Sequence, residues 1–110
     1  MRQAKVYFKK EEAGLLTQLD DGSFIFRYND QWIVDNSKPS ISLTLPKERQ
    51  EYNSDHLFPF FYNMLPEGTN KKIVCTHMRI DENDYFGLLL TTAPYDTIGA
   101  VTVKKMEEPI

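Results

Sequence analysis

Hydrophobic and polar residues alternate through the first third of the chain, change to a helical period in the middle, and alternate again near the end. Val6 and Phe8 stand between polar neighbours and predict a first strand near residues 4–9. Residues 13–19, AGLLTQL, read as a second strand with Leu15 and Leu19 on a common face. Asp20-Asp21-Gly22 is a turn signal, because glycine reaches positive φ without steric cost. Beyond it SFIFRYN alternates cleanly. Phe24, Phe26 and Tyr28 face one way, Ser23, Ile25 and Arg27 the other, so the two segments form a hairpin. Asn29-Asp30 can cap a short helical turn carrying Trp32 and Ile33, which Ser37-Lys38-Pro39 ends. ISLTL, 41–45, alternates as a third strand stopped by Pro46, with Ile41, Leu43 and Leu45 inward. Residues 47–55, KERQEYNSD, are polar throughout and read as a loop.

Leu57, Phe60, Phe61 and Met64 have the i, i+3, i+4, i+7 spacing of a buried helical stripe. Pro59 obscures where that helix starts, and Pro66 ends it by disfavouring helical backbone at Leu65. A second helix over 70–79, capped by Thr69, carries Ile73, Val74 and His77 on one side. A third near 84–91 carries Phe86, Leu89 and Leu90 before Pro94 closes it. IGAVTV, 98–103, is the last strand, and MEEPI reads as a frayed or linker-like end. Strands first, helices in the middle and a strand last define an α+β domain. Its expected form is a small antiparallel sheet, open or barrel-like, packed with about three short helices.

The length of 110 residues suits a single domain spanning 1–110 with one core. An apolar fraction of 41%, with 13% aromatic residues, is that of a folded globular chain. The formal charge of −3 provides no basic face for nucleic acid, and Lys71-Lys72 and Lys104-Lys105 are pairs, not a patch. Cys75 stands alone, so the chain carries no disulfide framework and fits a cytoplasmic setting. The N-terminal MRQAKVYFKKEE has no apolar signal-peptide run, and no apolar stretch approaches membrane-spanning length.

Candidate chemistry is sparse. Asp84-Tyr85-Phe86-Gly87 faintly resembles the metal-binding Asp-Phe-Gly of protein kinases, but the inserted tyrosine spoils the spacing and no phosphate loop accompanies it. The five glycines form no nucleotide-binding pattern. Cys75 and His77 point to different faces of a helix, and a structural zinc site wants two close pairs. The acidic pairs Glu11-Glu12, Asp20-Asp21 and Glu107-Glu108 fall in turns or at the end, where they solvate the surface. No residue is assigned a catalytic, cofactor-binding or metal-binding role, and the chain reads as a binding protein, not an enzyme.

The order of several short segments is more specific than any one of them. A Gly-x-Leu strand (Gly14, Leu16) precedes Phe-x-Tyr (Phe26, Tyr28) and Trp32. Ser-Leu-x-Leu-Pro (Ser42–Pro46), FF-x-N-x-LPEG (Phe60–Gly68) and Phe-Gly-Leu-Leu (Phe86–Leu89) follow, and Asp96 with Gly99-Ala100-Val101 closes the series. Together they resemble the N-terminal subdomain of HipA-type serine/threonine kinases, the toxins of bacterial toxin–antitoxin systems. Ala93-Pro94 departs from that pattern, where the family often holds a glycine. The kinase core that follows this subdomain in the family has no counterpart before Ile110, so none of its catalytic residues is carried over.

A free-standing subdomain of this kind resembles HipS, the small component of tripartite HipBST operons. The resemblance implies an antitoxin that binds and inhibits a separate HipT-like kinase, beside a HipB-like helix-turn-helix protein, with no direct contact to nucleic acid or membrane. The other reading it allows is a structural subdomain of a complete HipA-like kinase. The expected kinase-contacting edge is the LPEG corner: Met64, Leu65, Pro66, Glu67 and Gly68, with Thr69 and Asn70 as a polar rim. In that expectation Leu65 is displaced from the core stripe, and Phe60 and Phe61 are its packed support.

Overall fold

Residues 2–65, 68–92 and 101–105 are described by the computed structural model, the side chains at 68, 69 and 92 excepted. Five strands, β1 (Arg2–Phe8), β2 (Glu11–Gln18), β3 (Phe24–Tyr28), β4 (Glu51–Ser54) and β5 (Val101–Lys105), form one antiparallel sheet. Their order is β4-β3-β2-β1-β5, so β4 and β5 are open edges and the barrel-like form is excluded. Four short helices, α1 (Asp30–Val34), α2 (Pro59–Tyr62), α3 (Gly68–Met78) and α4 (Tyr85–Thr92), complete the α+β domain.

The alternation in SFIFRYN sets the core. Phe24, Phe26 and Tyr28 are all buried on one face of β3, and each grips a different element. Phe24 stacks on Phe86 of α4 at 6.2 Å between ring centroids. Phe26 packs against Phe61 of α2 at 5.8 Å. Tyr28 donates its hydroxyl hydrogen to the Leu45 carbonyl and accepts the Ile41 N–H at 3.0 Å, which pins residues 41–45 to the sheet. Burial pushes the Tyr28 phenol above its ordinary pKa, as expected for a hydroxyl enclosed between backbone groups.

Register explains the glycine of the Gly-x-Leu strand. Gly14 pairs with Val6 on one side and Tyr28 on the other. A Cβ there would lie 2.5 Å from the Arg27 carbonyl oxygen and 2.9 Å from the Phe26 ring. Just before it, the register slips so that Val6 faces Gly14 while Tyr7 faces Glu12. Ala13 is the extra residue of this bulge, and its carbonyl accepts the Asn29 N–H at 2.9 Å. Leu16, opposite Ala4 and Phe26, is therefore the core leucine of β2, whereas Leu15 and Leu19 are half-buried.

Three sequence expectations fail for physical reasons. Residues 41–45 are not a strand: Ile41 and Leu45 are buried, but Leu43 is 99% exposed. A turn (Leu45 N–H to Ser42 carbonyl, 3.2 Å) replaces the extended backbone, because Tyr28 claims Ile41 and Leu45 together. The place beside β3 is taken by β4, from the polar stretch expected to be a loop. As an edge strand β4 needs only Tyr52 half inside, and the Tyr52 hydroxyl donates to the Pro46 carbonyl at 2.7 Å. The stripe of Leu57, Phe60, Phe61 and Met64 spans more than α2. Leu57, Phe61 and Met64 are buried as expected, but the helix is a single turn that starts at Pro59. Of the expected last strand, Val101–Lys105 is observed, while residues 93–100, including Ala93-Pro94, Asp96 and Gly99-Ala100, and the end at 106–110 lie outside the described residues.

Two predictions follow from this packing. Tyr28→Phe leaves the Leu45 carbonyl and the Ile41 N–H without their buried partner and should cost about 1–3 kcal/mol in urea denaturation. Tyr52→Phe, which loses one half-exposed bond, should cost less. The tight β1–β2 turn holds Lys9 at φ 49 and Lys10 at φ 70, both in the region that favours asparagine and glycine. Replacing the pair with Lys9→Asn and Lys10→Gly should therefore stabilise the fold by about 1 kcal/mol, read as a raised thermal midpoint.

Candidate functional site

The corner after α2 is where the expected contact edge can be compared with the fold. Met64 is 7% exposed and Leu65 9%, so both belong to the core and not to a projecting tip. The reason lies in the backbone. The Met64 N–H bonds to the Phe61 carbonyl (3.0 Å) and the Leu65 N–H to the Tyr62 carbonyl (3.1 Å), so the chain tightens into i to i+3 turns. Those turns carry Leu65 back over the core. Phe61 is fully buried with Phe60 edge-on to it at 5.3 Å. Pro66 and Glu67 lie outside the described residues, Gly68 and Thr69 begin α3, and Asn70 is exposed on that helix.

The exposed apolar surface of this region lies elsewhere. On α3 the inward residue is Cys75, while Ile73 is 59% exposed, Met78 51%, and His77 is exposed. Of Ile73, Val74 and His77, expected on one side of the helix, Val74 is half-buried, while Ile73 and His77 join Asn70 in an outward line at i, i+3, i+7. Arg79 ends α3 in the left-handed region at φ 57, with the Ile80 N–H returning to the Cys75 carbonyl at 2.9 Å.

α4 is positioned by the residue that looked like a kinase metal ligand. The Asp84 carboxylate accepts the Gly87 N–H at 3.1 Å, capping the helix, and takes the Arg2 guanidinium at 2.6 Å and 3.1 Å. Arg2 also donates to Gln18 and lies 5.1 Å from the Phe86 ring centroid. The hydrogen bond from Arg2 holds Asp84 below the usual carboxylate range, with the Gly87 N–H adding to this and partial burial opposing it. Asp84 thus joins the β1 strand to α4 as a structural ion pair.

Beside this pair a cleft of about 340 Å³ opens between the β2–β3 turn, residues 55–57 and the start of α4. Phe24, Leu57, Tyr62 and Tyr85 line it, with Asp55 and Asn83 among its polar groups. Tyr62 and Tyr85 meet edge-to-face at 5.6 Å, joining α2 to α4. Among the described residues no group of three or more metal-ligating side chains gathers, and no helix is long and apolar enough to cross a membrane.

An open five-stranded sheet with its aromatic β3 face covered by short helices defines a small α+β domain. The family model of the HipA N-terminal domain matches residues 4–104, and the chain belongs to that family. The solved "N-terminal domain of HipA toxin" superposes with a TM-score of 0.72 at 34% identity, covering 99% of this chain and 96% of that one. An uncharacterized protein of Haemophilus influenzae (strain Rd) is 36% identical over 108 residues, 98% of this chain and 96% of its own length. "Putative kinase Y4dM" of Sinorhizobium fredii is 36% identical over 104 residues, but the match spans only 25% of that protein. "Putative kinase Y4mE" of the same organism is 26% identical over 89 residues, 21% of its length.

The Arg2–Asp84 pair generates a pH prediction. A carboxyl whose folded pKa is depressed contributes stability that is present above its unfolded pKa, about 3.9, and lost as pH falls through the folded value. Asn caps a helix about as well as Asp, so Asp84→Asn removes the charge and keeps the cap. The variant should be less stable at neutral pH by at most about 1 kcal/mol, because Arg2 is 42% and Asp84 33% exposed. That difference should shrink as the pH falls below about 4. Denaturation midpoints of both proteins across pH 3 to 7 check it, and a constant difference would refute it.

Proposed function

We propose that this protein is the HipS-like antitoxin subunit of a tripartite toxin–antitoxin system, binding and inhibiting a separate HipT-like serine/threonine kinase, with a HipB-like DNA-binding protein in the same complex. The observation that carries this reading is the contrast between relatives. The same domain makes up nearly all of the Haemophilus influenzae protein and only a quarter of Y4dM. A domain that is found both as a separate chain and as part of proteins described as kinases has a surface that fits the remainder of such a kinase. In this reading the chain contributes no catalytic residue, contacts no nucleic acid and acts in the cytoplasm.

The contact surface follows from the corrected geometry. We place it on the outward line of α3, Asn70, Ile73 and His77, where an exposed isoleucine flanked by polar groups suits the centre of a contact patch. The match to a quarter of Y4dM favours a second reading, in which the domain is the structural N-terminal part of a longer kinase. The gene neighbourhood and reading frame separate the two.

The test pairs two substitutions in a titration against a purified HipT-like kinase. Ile73→Asp should leave the thermal midpoint nearly unchanged while weakening binding and inhibition at least about tenfold, the usual weight of a central interface residue. Leu65→Asp should instead unfold the domain, costing about 3–5 kcal/mol, because it places a carboxylate in the core. Normal inhibition by Ile73→Asp would exclude α3 as the contact. Failure of the unaltered protein to bind the kinase at all would exclude the antitoxin reading.

A further inference from the structure

The cleft between the β2–β3 turn and α4 is not used by the surface proposed above, and its lining has a definite chemistry. Its walls are aromatic and aliphatic: Phe24 and Leu57, both buried, and Tyr62 and Tyr85 in edge-to-face contact. Tyr62 is 45% exposed, so part of its ring remains open to an incoming group. The one ionisable acid in the lining is Asp55, which is exposed and forms no hydrogen bond or ion pair within the described residues. The amide of Asn83 is likewise free of side-chain partners, and no lysine or arginine lines the cleft among the described residues.

The charges around it reinforce that balance. The β2–β3 turn at the rim carries Asp21, whose carboxylate accepts the Ser23 N–H at 2.9 Å and the Ser23 hydroxyl at 2.6 Å. Those bonds, the side-chain one foremost, hold Asp21 below the usual carboxylate range, so it is ionised at neutral pH. The nearest guanidinium, Arg2, is in an adjoining hollow and is already neutralised by Asp84 at 2.6 Å. Lys71 already sits over the Tyr85 ring, 5.2 Å from its centroid, without lining the cleft, so the half-open Tyr62 ring is the aromatic face left for an incoming cation. His56 is the remaining lining group that can titrate.

We propose that this cleft is a docking site for a single arginine side chain presented by a protein partner. A volume of about 340 Å³ suits one long side chain and is at the lower limit for small-molecule sites. Aromatic walls with one unpaired carboxylate favour a cation over an anion or a purely apolar tip. Arginine fits better than lysine, because its planar guanidinium stacks on a tyrosine and offers a fork of donors to Asp55 and to the Asn83 carbonyl oxygen. The lining includes none of Asn70, Ile73 and His77, so the site stands or falls independently of the kinase-binding reading.

The experiment uses the whole 110-residue protein and the peptide acetyl-Gly-Arg-Gly-amide, with NMR shifts of the Asn83 and Gln18 side-chain amides as the readout. Saturable shifts are expected at both, about tenfold weaker with citrulline in place of arginine, since citrulline keeps the shape and loses the charge. Asp55→Asn and Tyr62→Leu should each weaken the arginine peptide about fivefold. Both positions are exposed, and they lie in different elements, so one variant remains informative if the other fails to fold. Equal binding of citrulline, tighter binding of a glutamate peptide, or shifts indifferent to both substitutions would overturn the proposal. Spermidine binding as tightly as the arginine peptide would overturn the assignment to a protein-borne guanidinium. An absence of saturable shifts would do the same.

Discussion

The whole domain depends on one strand having three aromatic side chains on one face. Phe24, Phe26 and Tyr28 reach α4, α2 and the segment 41–45 respectively, so β3 ties three separate parts of the chain into one core. The short helices could not hold these positions alone: α1 and α2 are about one turn each, far below the length at which a helix persists in water. They exist because a large ring from the sheet buries against each site where they pass. The two ends of the ladder also use different physics. At Phe24 and Phe26 the contact is ring on ring and tolerates sliding, whereas the Tyr28 hydroxyl is enclosed by a backbone donor and a backbone acceptor and fixes its loop in one register.

The space for those rings comes from small residues on the neighbouring strand. Gly14 lets the Phe26 ring lie against the backbone of β2, and the Ala13 bulge turns a carbonyl outward to receive Asn29 at the start of α1. Asn29 is thus placed at the helix start by its backbone, and its side chain is released to bond Glu12 at 2.6 Å. The two features that look like irregularities, a glycine in a strand and a skipped residue in a ladder, are what couple the sheet to the first helix.

Sequence reasoning succeeded where one side-chain pattern was sufficient. The β2–β3 hairpin, the inward face of β3, the short helix around Trp32 and the Phe86–Leu89 helix were all legible, because each has a strict period and a turn residue that permits only one reading. It failed where two patterns competed or where tertiary contacts decided. ISLTL alternates like a strand, but only the phenol of Tyr28 reveals that Ile41 and Leu45 are held as plugs in a loop. EYNS has no apolar signal, since an edge strand on a half-covered sheet needs none. Lys9-Lys10 bears no mark of a tight turn, so the β1–β2 hairpin was not seen. The expected projection of Leu65 fails for a related reason. A proline after a residue stops the helix but does not say where that residue's side chain goes, and here two tightened turns return it to the core.

The same accounting explains why α3 is the element with surface to spare. The covered face of the sheet is filled by rings from α2 and α4, by Trp32 and by the 41–45 plugs, and Cys75 is the one fully buried residue among the described side chains of α3. Among its described side chains this 11-residue helix buries Cys75 and half-buries Lys71 and Val74, and Arg79 follows it in the left-handed region, so much of its surface faces outward. A cover on the outward side of α3, as proposed for the kinase contact, would add support that the small core does not supply, and part of the binding energy would then be the energy of ordering this helix.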